Sequence, residues 1–125
     1  MTYDFDTKPR REWVTQEWLH WLRSMPEGTT AAELSVLDQQ WAITTNGNSE
    51  IAAQWLLMAI RAGYTPAWPR LDEFLVGVGR RKFVKPLYEA LARTTDGQAR
   101  ARAIYAKARR GYHPITQATV DAILK

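Results

Sequence analysis

Apolar residues recur along this chain at intervals of three and four, the spacing that gathers side chains on one face of a helix, and no segment alternates cleanly as a half-buried strand would. Pro9 followed by RREWVTQEWLHWLRSM predicts a first helix, with Pro9 at or near its first turn and Val14, Trp18, Trp21 and Leu22 on one face. MPEG at residues 25–28 ends it. Thr30-Ala-Ala-Glu33 has the spacing of a capping box, in which hydroxyl and carboxylate satisfy orphan backbone amides. Leu34, Leu37 and Trp41 then mark the inner face of a second helix. TTNGNS is a turn from which Asn48 or Ser49 can cap a third helix, EIAAQWLLMAIRA, with Gly63 as its left-handed stop.

Pro66 and Pro69 bracket a connection that holds Trp68, and RLDEFLVGV reads as a short fourth helix broken at Gly79. Pro86 opens a fifth, PLYEALART, which makes Arg80 to Lys85 a basic turn between two apolar helices. Thr95-Asp-Gly-Gln98 offers a second capping box ahead of ARARAIYAKARR and a stop at Gly111. His113-Pro114 opens ITQATVDAIL, with the imidazole placed to cap or pack. The class is therefore all-α, with about seven short helices as antiparallel pairs, either a right-angled bundle or a short solenoid. Residues 10–125 form one domain by this pattern and residues 1–9 a loose start. Trp13, Trp18, Trp21, Trp41 and Trp55 fall on inner faces, whereas Trp68 is a candidate for a domain interface.

Composition narrows the chemistry. The 125 residues include six tryptophans and no cysteine, so disulfides, thiolate metal sites and thiol catalysis are all excluded. A reducing, cytoplasmic setting fits, and no apolar run is long enough for a membrane span. The net charge of +4 conceals a split: residues 1–78 carry six basic against ten acidic side chains, and residues 79–125 carry eleven against three. The histidines are His20 and His113 alone. Gln16-Glu17-Trp18-Leu19-His20 has the outline of a HExxH zinc motif whose first His is Gln, too few ligands for a metal. Val76-Gly-Val-Gly79 offers only two glycines and is a weak signal for a nucleotide-binding loop. The chain by itself carries no catalytic constellation.

The densest charge lies in Gly79-Arg80-Arg81-Lys82-Phe83-Val84-Lys85-Pro86-Leu87, where Arg80 and Lys82, two apart in a non-helical segment, would project together toward one anion. That block, together with Asn48-Ser-Glu-Ile51 and Trp55 upstream and Tyr112-His113-Pro114-Ile115-Thr116 downstream, carries a resemblance. From about Leu37 onward the chain resembles the C-terminal helical domain of leukotriene A(4) hydrolase and the related zinc aminopeptidases of peptidase family M1.

The resemblance implies a layered right-handed α-α superhelix, of the HEAT and armadillo kind, that closes one wall of a substrate cleft. It implies Arg80 as the anchor for a peptide or lipid carboxylate and Lys82 as the accessory cation, while Arg81 stands where an apolar residue is expected and leaves open which arginine faces the cleft. Zinc, its ligands, the general base and the amine-anchoring GxMEN segment belong to a catalytic domain, which with a β-rich N-terminal domain would be this chain's partner. An isolated copy is expected to expose a patch and to self-associate through it. Two other readings compete. One is a free-standing helical adaptor for a protein partner. The other is a nucleic-acid binder using Arg100, Arg102, Lys107, Arg109 and Arg110, which spread around their helix rather than forming a stripe; neither nucleic acid nor membrane is the expected partner.

Overall fold

The computed structural model describes residues 14–26 and 28–125. Among them the chain forms α1 (Thr15–Arg23), α2 (Ala31–Trp41), α3 (Ser49–Ala62), α4 (Trp68–Gly77), α5 (Arg81–Leu91), α6 (Thr95–Ala108) and α7 (Pro114–Ile123), with single turns of 3-10 helix at Ile43–Thr45, Thr65–Ala67 and Arg109–Gly111. No strand occurs among the described residues. Residues 1–9, expected from the sequence to be loose, and Trp13 lie outside them.

The helices alternate between two layers. α1 packs on α3, α3 on α5 and α5 on α7, while α4 lies against α6. The all-α layered arrangement expected from the sequence is the one that forms. Contacts at helix starts fix the direction of the odd layer. The Asn48 amide at the start of α3 donates to the Thr15 hydroxyl at the start of α1 (2.9 Å). Lys82 in the first turn of α5 faces Glu50 in the first turn of α3 (3.8 Å), and Thr116 in the first turn of α7 donates to the Gly79 carbonyl just before α5 (3.4 Å). The four odd helices therefore run parallel, with their N-termini along one edge.

One apolar cluster runs through the layers, with Leu34, Trp55, Leu56, Leu71, Leu75, Val84, Tyr88 and Val120 sealed from solvent. Trp55 alone removes an area worth about 4–6 kcal/mol of transfer free energy, before the entropy of ordering it. Its indole N–H donates to the Thr44 hydroxyl (2.9 Å), which in turn donates to Asp38 (2.6 Å). Asp38 also receives the Thr44 amide and the Tyr64 hydroxyl. That clamp holds the turn after α2, where Ala42 takes a left-handed φ of 50°, a conformation that costs a non-glycine residue about 1–2 kcal/mol.

Several boundaries differ from the sequence expectation. Val14 caps α1 from outside and is exposed, and Leu19 and Leu22 supply the buried positions, with Trp18 and Trp21 half-buried beside them. Trp68 is the first residue of α4 rather than part of a connection, because Pro69 needs no N–H in a first turn. Thr94, not Thr95, caps α6: its hydroxyl accepts the Gly97 amide (2.9 Å). A Cβ on Gly97 would lie 2.0 Å from the Leu91 carbonyl oxygen, so only glycine fits there. The Gln98 amide reaches back to the Ala92 carbonyl instead of closing a box. The largest difference concerns α5. It begins at Arg81, five residues before Pro86, which sits inside the helix and brings no N–H to the Lys82 carbonyl. Burial of Phe83, Val84, Leu87, Tyr88 and Leu91 on one face outweighs that defect.

Candidate functional site

The three sequence blocks that stood out separately occupy the starts of three neighbouring helices. Asn48 to Ile51 opens α3, Gly79 to Phe83 opens α5, and Tyr112 to Thr116 opens α7. They form one edge of the odd layer, and their side chains are linked across it.

At the centre is the start of α5. Arg80 is its N-cap residue, and its side chain makes no capping bond. Arg81 and Lys82 follow in the first turn, so the basic segment is helical and not the extended turn that the sequence suggested. Phe83 nevertheless brings Arg80 and Lys82 together. The Arg80 guanidinium lies 5.5 Å from the Phe83 ring centroid and the Lys82 ammonium 4.9 Å from it. Such contacts steady a cation without neutralising it. Arg81 leaves in the other direction, where its Nε–H donates to the Thr119 hydroxyl on α7 (2.9 Å). Of the two arginines, Arg80 is thus the one that shares the Phe83 ring with Lys82.

A shallow open hollow lies between the starts of α5 and α7, lined by Gly79, Arg80, Arg81, Lys82, Gly111, His113 and Thr116. No carboxylate among the described residues lines it. Among the described residues Arg80 and Arg81 have no acidic partner, and the Lys82–Glu50 contact is long, between two half-exposed groups. Such an exposed pair is worth well under about 1 kcal/mol. The His113 Nδ1 accepts the Ile115 amide (3.1 Å), which caps α7 and leaves the ring proton on Nε2. The sequence pairs Arg80 with Lys82, and both lie against the Phe83 ring. It missed His113 and Thr116 as lining residues, although both stand in the third block.

The hollow rests on a buried tyrosine layer. The Tyr112 hydroxyl donates to the Leu75 carbonyl at the end of α4, so the proton between Tyr88 and Tyr112 (3.1 Å) comes from Tyr88. Burial pushes the pKa of both upward. The Tyr105 hydroxyl donates to Asp121 (2.5 Å), and burial together with that carboxylate raises its pKa to about 12. Arg109 binds the same carboxylate (3.2 Å) and, with Tyr105, holds its pKa below the usual range. Above this layer a Cβ on Gly79 would stand 3.3 Å from the Tyr112 ring, tighter than ordinary packing. Tyr112 is therefore the floor on which the Gly79–Arg80 link is set.

Elsewhere the basic helix α6 is largely answered from within. Arg100 pairs with Asp72 (3.4 Å) and stacks over Trp68 (5.3 Å), Arg102 reaches the Leu124 carbonyl, and Arg109 pairs with Asp121. His20 stands on the exposed side of α1. Among the described residues no three His, Asp or Glu side chains gather into a metal-binding group, and no helix is long and apolar enough to cross a membrane.

Residues 13–124 match the family described as leukotriene A4 hydrolase, C-terminal. A leucine aminopeptidase 2 from Yarrowia lipolytica is 33% identical over 92 residues, 74% of this chain and 14% of that protein. Another from Chaetomium globosum is 28% identical over 123 residues, 94% of this chain and 20% of that protein. The leukotriene A-4 hydrolase of Xenopus laevis is 34% identical over 73 residues, 58% of this chain and 12% of that protein. The chain thus spans no more than a fifth of the length of these relatives. By the match along nearly its whole length, this chain belongs to the family of the leukotriene A4 hydrolase C-terminal domain.

Proposed function

We propose that this chain is the non-catalytic helical wall of a zinc-dependent aminopeptidase cleft and that it receives the carboxylate of the substrate. Arg80 is the main anchor and Lys82 the accessory cation. One observation supports the reading: both cations lie against the Phe83 ring at an uncapped helix start, beside a hollow that no acid among the described residues lines. A guanidinium offers a carboxylate two parallel hydrogen bonds, and the unused N–H groups of the first turn favour the same charge. The names of the relatives, leucine aminopeptidase 2 and leukotriene A-4 hydrolase, support a hydrolase as the setting.

The zinc expected in such an enzyme has no fit among the described residues, which bring no three ligands together. Its ligands, the general base and the peptide amine site would be furnished by catalytic and N-terminal domains that are this chain's partners, with residues 10–125 acting as one domain beside them. The wall works by orientation. Fixing the far end of a short peptide sets its amino end in register, so that binding energy gained at a remote carboxylate appears in turnover as well as affinity.

In the enzyme that carries this chain, Arg80→Ala should lower kcat/KM about 30- to 150-fold for peptides with a free C-terminus, equivalent to about 2–3 kcal/mol for a lost charged partner. C-terminally amidated peptides should change only slightly. Equal losses for the two kinds of peptide would remove the anchor assignment.

A further inference from the structure

The hollow has two ends. Toward Phe83 stand Arg80 and Lys82; toward α7 stand Arg81, His113 and Thr116. A single carboxylate held by Arg80 and Lys82 leaves the second end unanswered. Arg81 is held there in a defined pose, because its Nε–H is spent on Thr119 while its two terminal nitrogens have no protein acceptor among the described residues. Those two nitrogens form the end-on fork of the guanidinium, which matches the two oxygens of a carboxylate. His113 adds a donor, since its Nδ1 is occupied by the Ile115 amide and its proton is on Nε2. The Thr116 hydroxyl is turned to the Gly79 carbonyl, and both glycines of the lining contribute no side chain. The α7 end thus presents the Arg81 fork and the His113 donor, with no carboxylate among the described residues to welcome a cation.

We propose that the α7 end is a second carboxylate subsite, in which Arg81 and His113 receive the side chain of a C-terminal Asp or Glu on the peptide whose α-carboxylate lies on Arg80. The inference rests on the Arg80 reading above and deepens it, from peptides in general to those ending in an acidic residue. Arg81 is the determinant of that specificity. An apolar residue at this position would leave a subsite indifferent to the charge of the last side chain.

The test is an amide-resolved NMR titration of the 125-residue chain with N-acetyl-Ala-Glu, N-acetyl-Ala-Gln and N-acetyl-Ala-Gln amide, at low ionic strength so that screening does not erase weak binding. Glu and Gln share a shape and differ in charge. N-acetyl-Ala-Glu should bind about tenfold more tightly than N-acetyl-Ala-Gln, with shifts at Gly111 and the first turn of α7 that the Gln ligand does not produce. In Arg81→Leu, an exposed site whose change leaves the core untouched, the ratio of the two affinities should fall close to one. Equal affinities in the unaltered chain, or a Glu preference that survives Arg81→Leu, would overturn the second subsite. The base reading fails separately: if N-acetyl-Ala-Gln and its amide bind alike, or if no ligand shifts the Gly79–Lys82 amides, Arg80 is no anchor and both proposals fall.

Discussion

The starts of α3 and α5 lie side by side on one edge and are built in opposite ways. At α3 the Asn48 side chain accepts the Glu50 and Ile51 amides (2.9 and 3.2 Å), and Glu50 sets a negative charge in the first turn. Cap and acid both answer the helix's own unpaired donors and the positive end of its dipole. At α5 the N-cap residue is Arg80, no side chain caps, and Arg81 and Lys82 add positive charge where the dipole is already positive. Each cation so placed costs about 0.3–1 kcal/mol, and the missing cap about 1 kcal/mol more. The first start is complete in itself. The second is kept in place from outside, by the Tyr112 floor, the Thr116–Gly79 hydrogen bond and the Arg81–Thr119 hydrogen bond. The proposed carboxylate site draws on that contrast, since the donors left open at the start of α5 are available to an external anion.

The largest effect is expected from alkali, which acts on the tyrosine layer beneath α5 through Tyr105 and on the clamp after α2 through Tyr64. Tyr64 and Tyr105 have an ordinary pKa of 10 that is raised to about 12, in each case first by burial and then by a carboxylate bonded to the hydroxyl. Their contribution to stability is complete below pH 10, falls as pH rises from 10 to 12, and levels off above that. Each tyrosine contributes up to about 1.4 kcal/mol per pH unit across that window, an upper bound because Asp38 is half-exposed and Asp121 exposed. Denaturant unfolding followed from pH 8 to pH 12 should show this decline. Tyr105→Phe should flatten it without abolishing it; an unchanged slope in that variant would mean that the tyrosine layer does not set the alkaline limit.

An intermediate effect is expected at α3. Asn48→Ala should lower stability by about 0.5–2 kcal/mol, because it strips two amides of their acceptor and Thr15 of its partner. The same change should leave the affinity for an N-acetylated peptide acid where it was, since Asn48 lies one helix away from the hollow. Parallel loss of stability and affinity would show that the edge acts as one cooperative unit rather than as two differently built starts.

How far the sequence reveals this contrast depends on the residue. Asn48, Thr30 with Glu33, Gly63 and His113 announce themselves because capping is local: the bonded groups lie within four residues of each other. The core face of α5 was also written in the chain, as Phe83, Val84, Leu87, Tyr88 and Leu91 at helical spacing. Pro86 obscured it, because proline is favoured in a first turn and here stands at the sixth position, tolerated for the sake of the burial around it. Arg81 could not be assigned from sequence at all, since its partner Thr119 is thirty-eight residues away. The same holds for the Tyr112 floor under Gly79, which only the packing of α7 on α5 creates.

The smallest expected effect sharpens the comparison most, because its sign is opposite for stability and for binding. Arg80→Asn gives α5 the kind of cap that α3 already has. The new amide oxygen can accept the backbone N–H of Lys82 or Phe83, and one cation leaves the positive end of the dipole. Stability should rise by about 1 kcal/mol, which for a domain of this size is a gain of about 3–5 °C in Tm. The same substitution removes the guanidinium that receives the carboxylate, so affinity for N-acetyl-Ala-Gln should fall at least tenfold. A thermal melt and one titration on the same sample decide it. If Tm drops, the Phe83-stacked Arg80 is a structural residue and the unsatisfied start of α5 has a different explanation. If Tm rises and binding persists, the anion is held by the remaining donors of the edge and Arg80 is dispensable. A more stable chain that no longer binds the carboxylate is the result that ties the missing cap to function, because it shows local stability forgone at a helix start whose donors are left for a ligand.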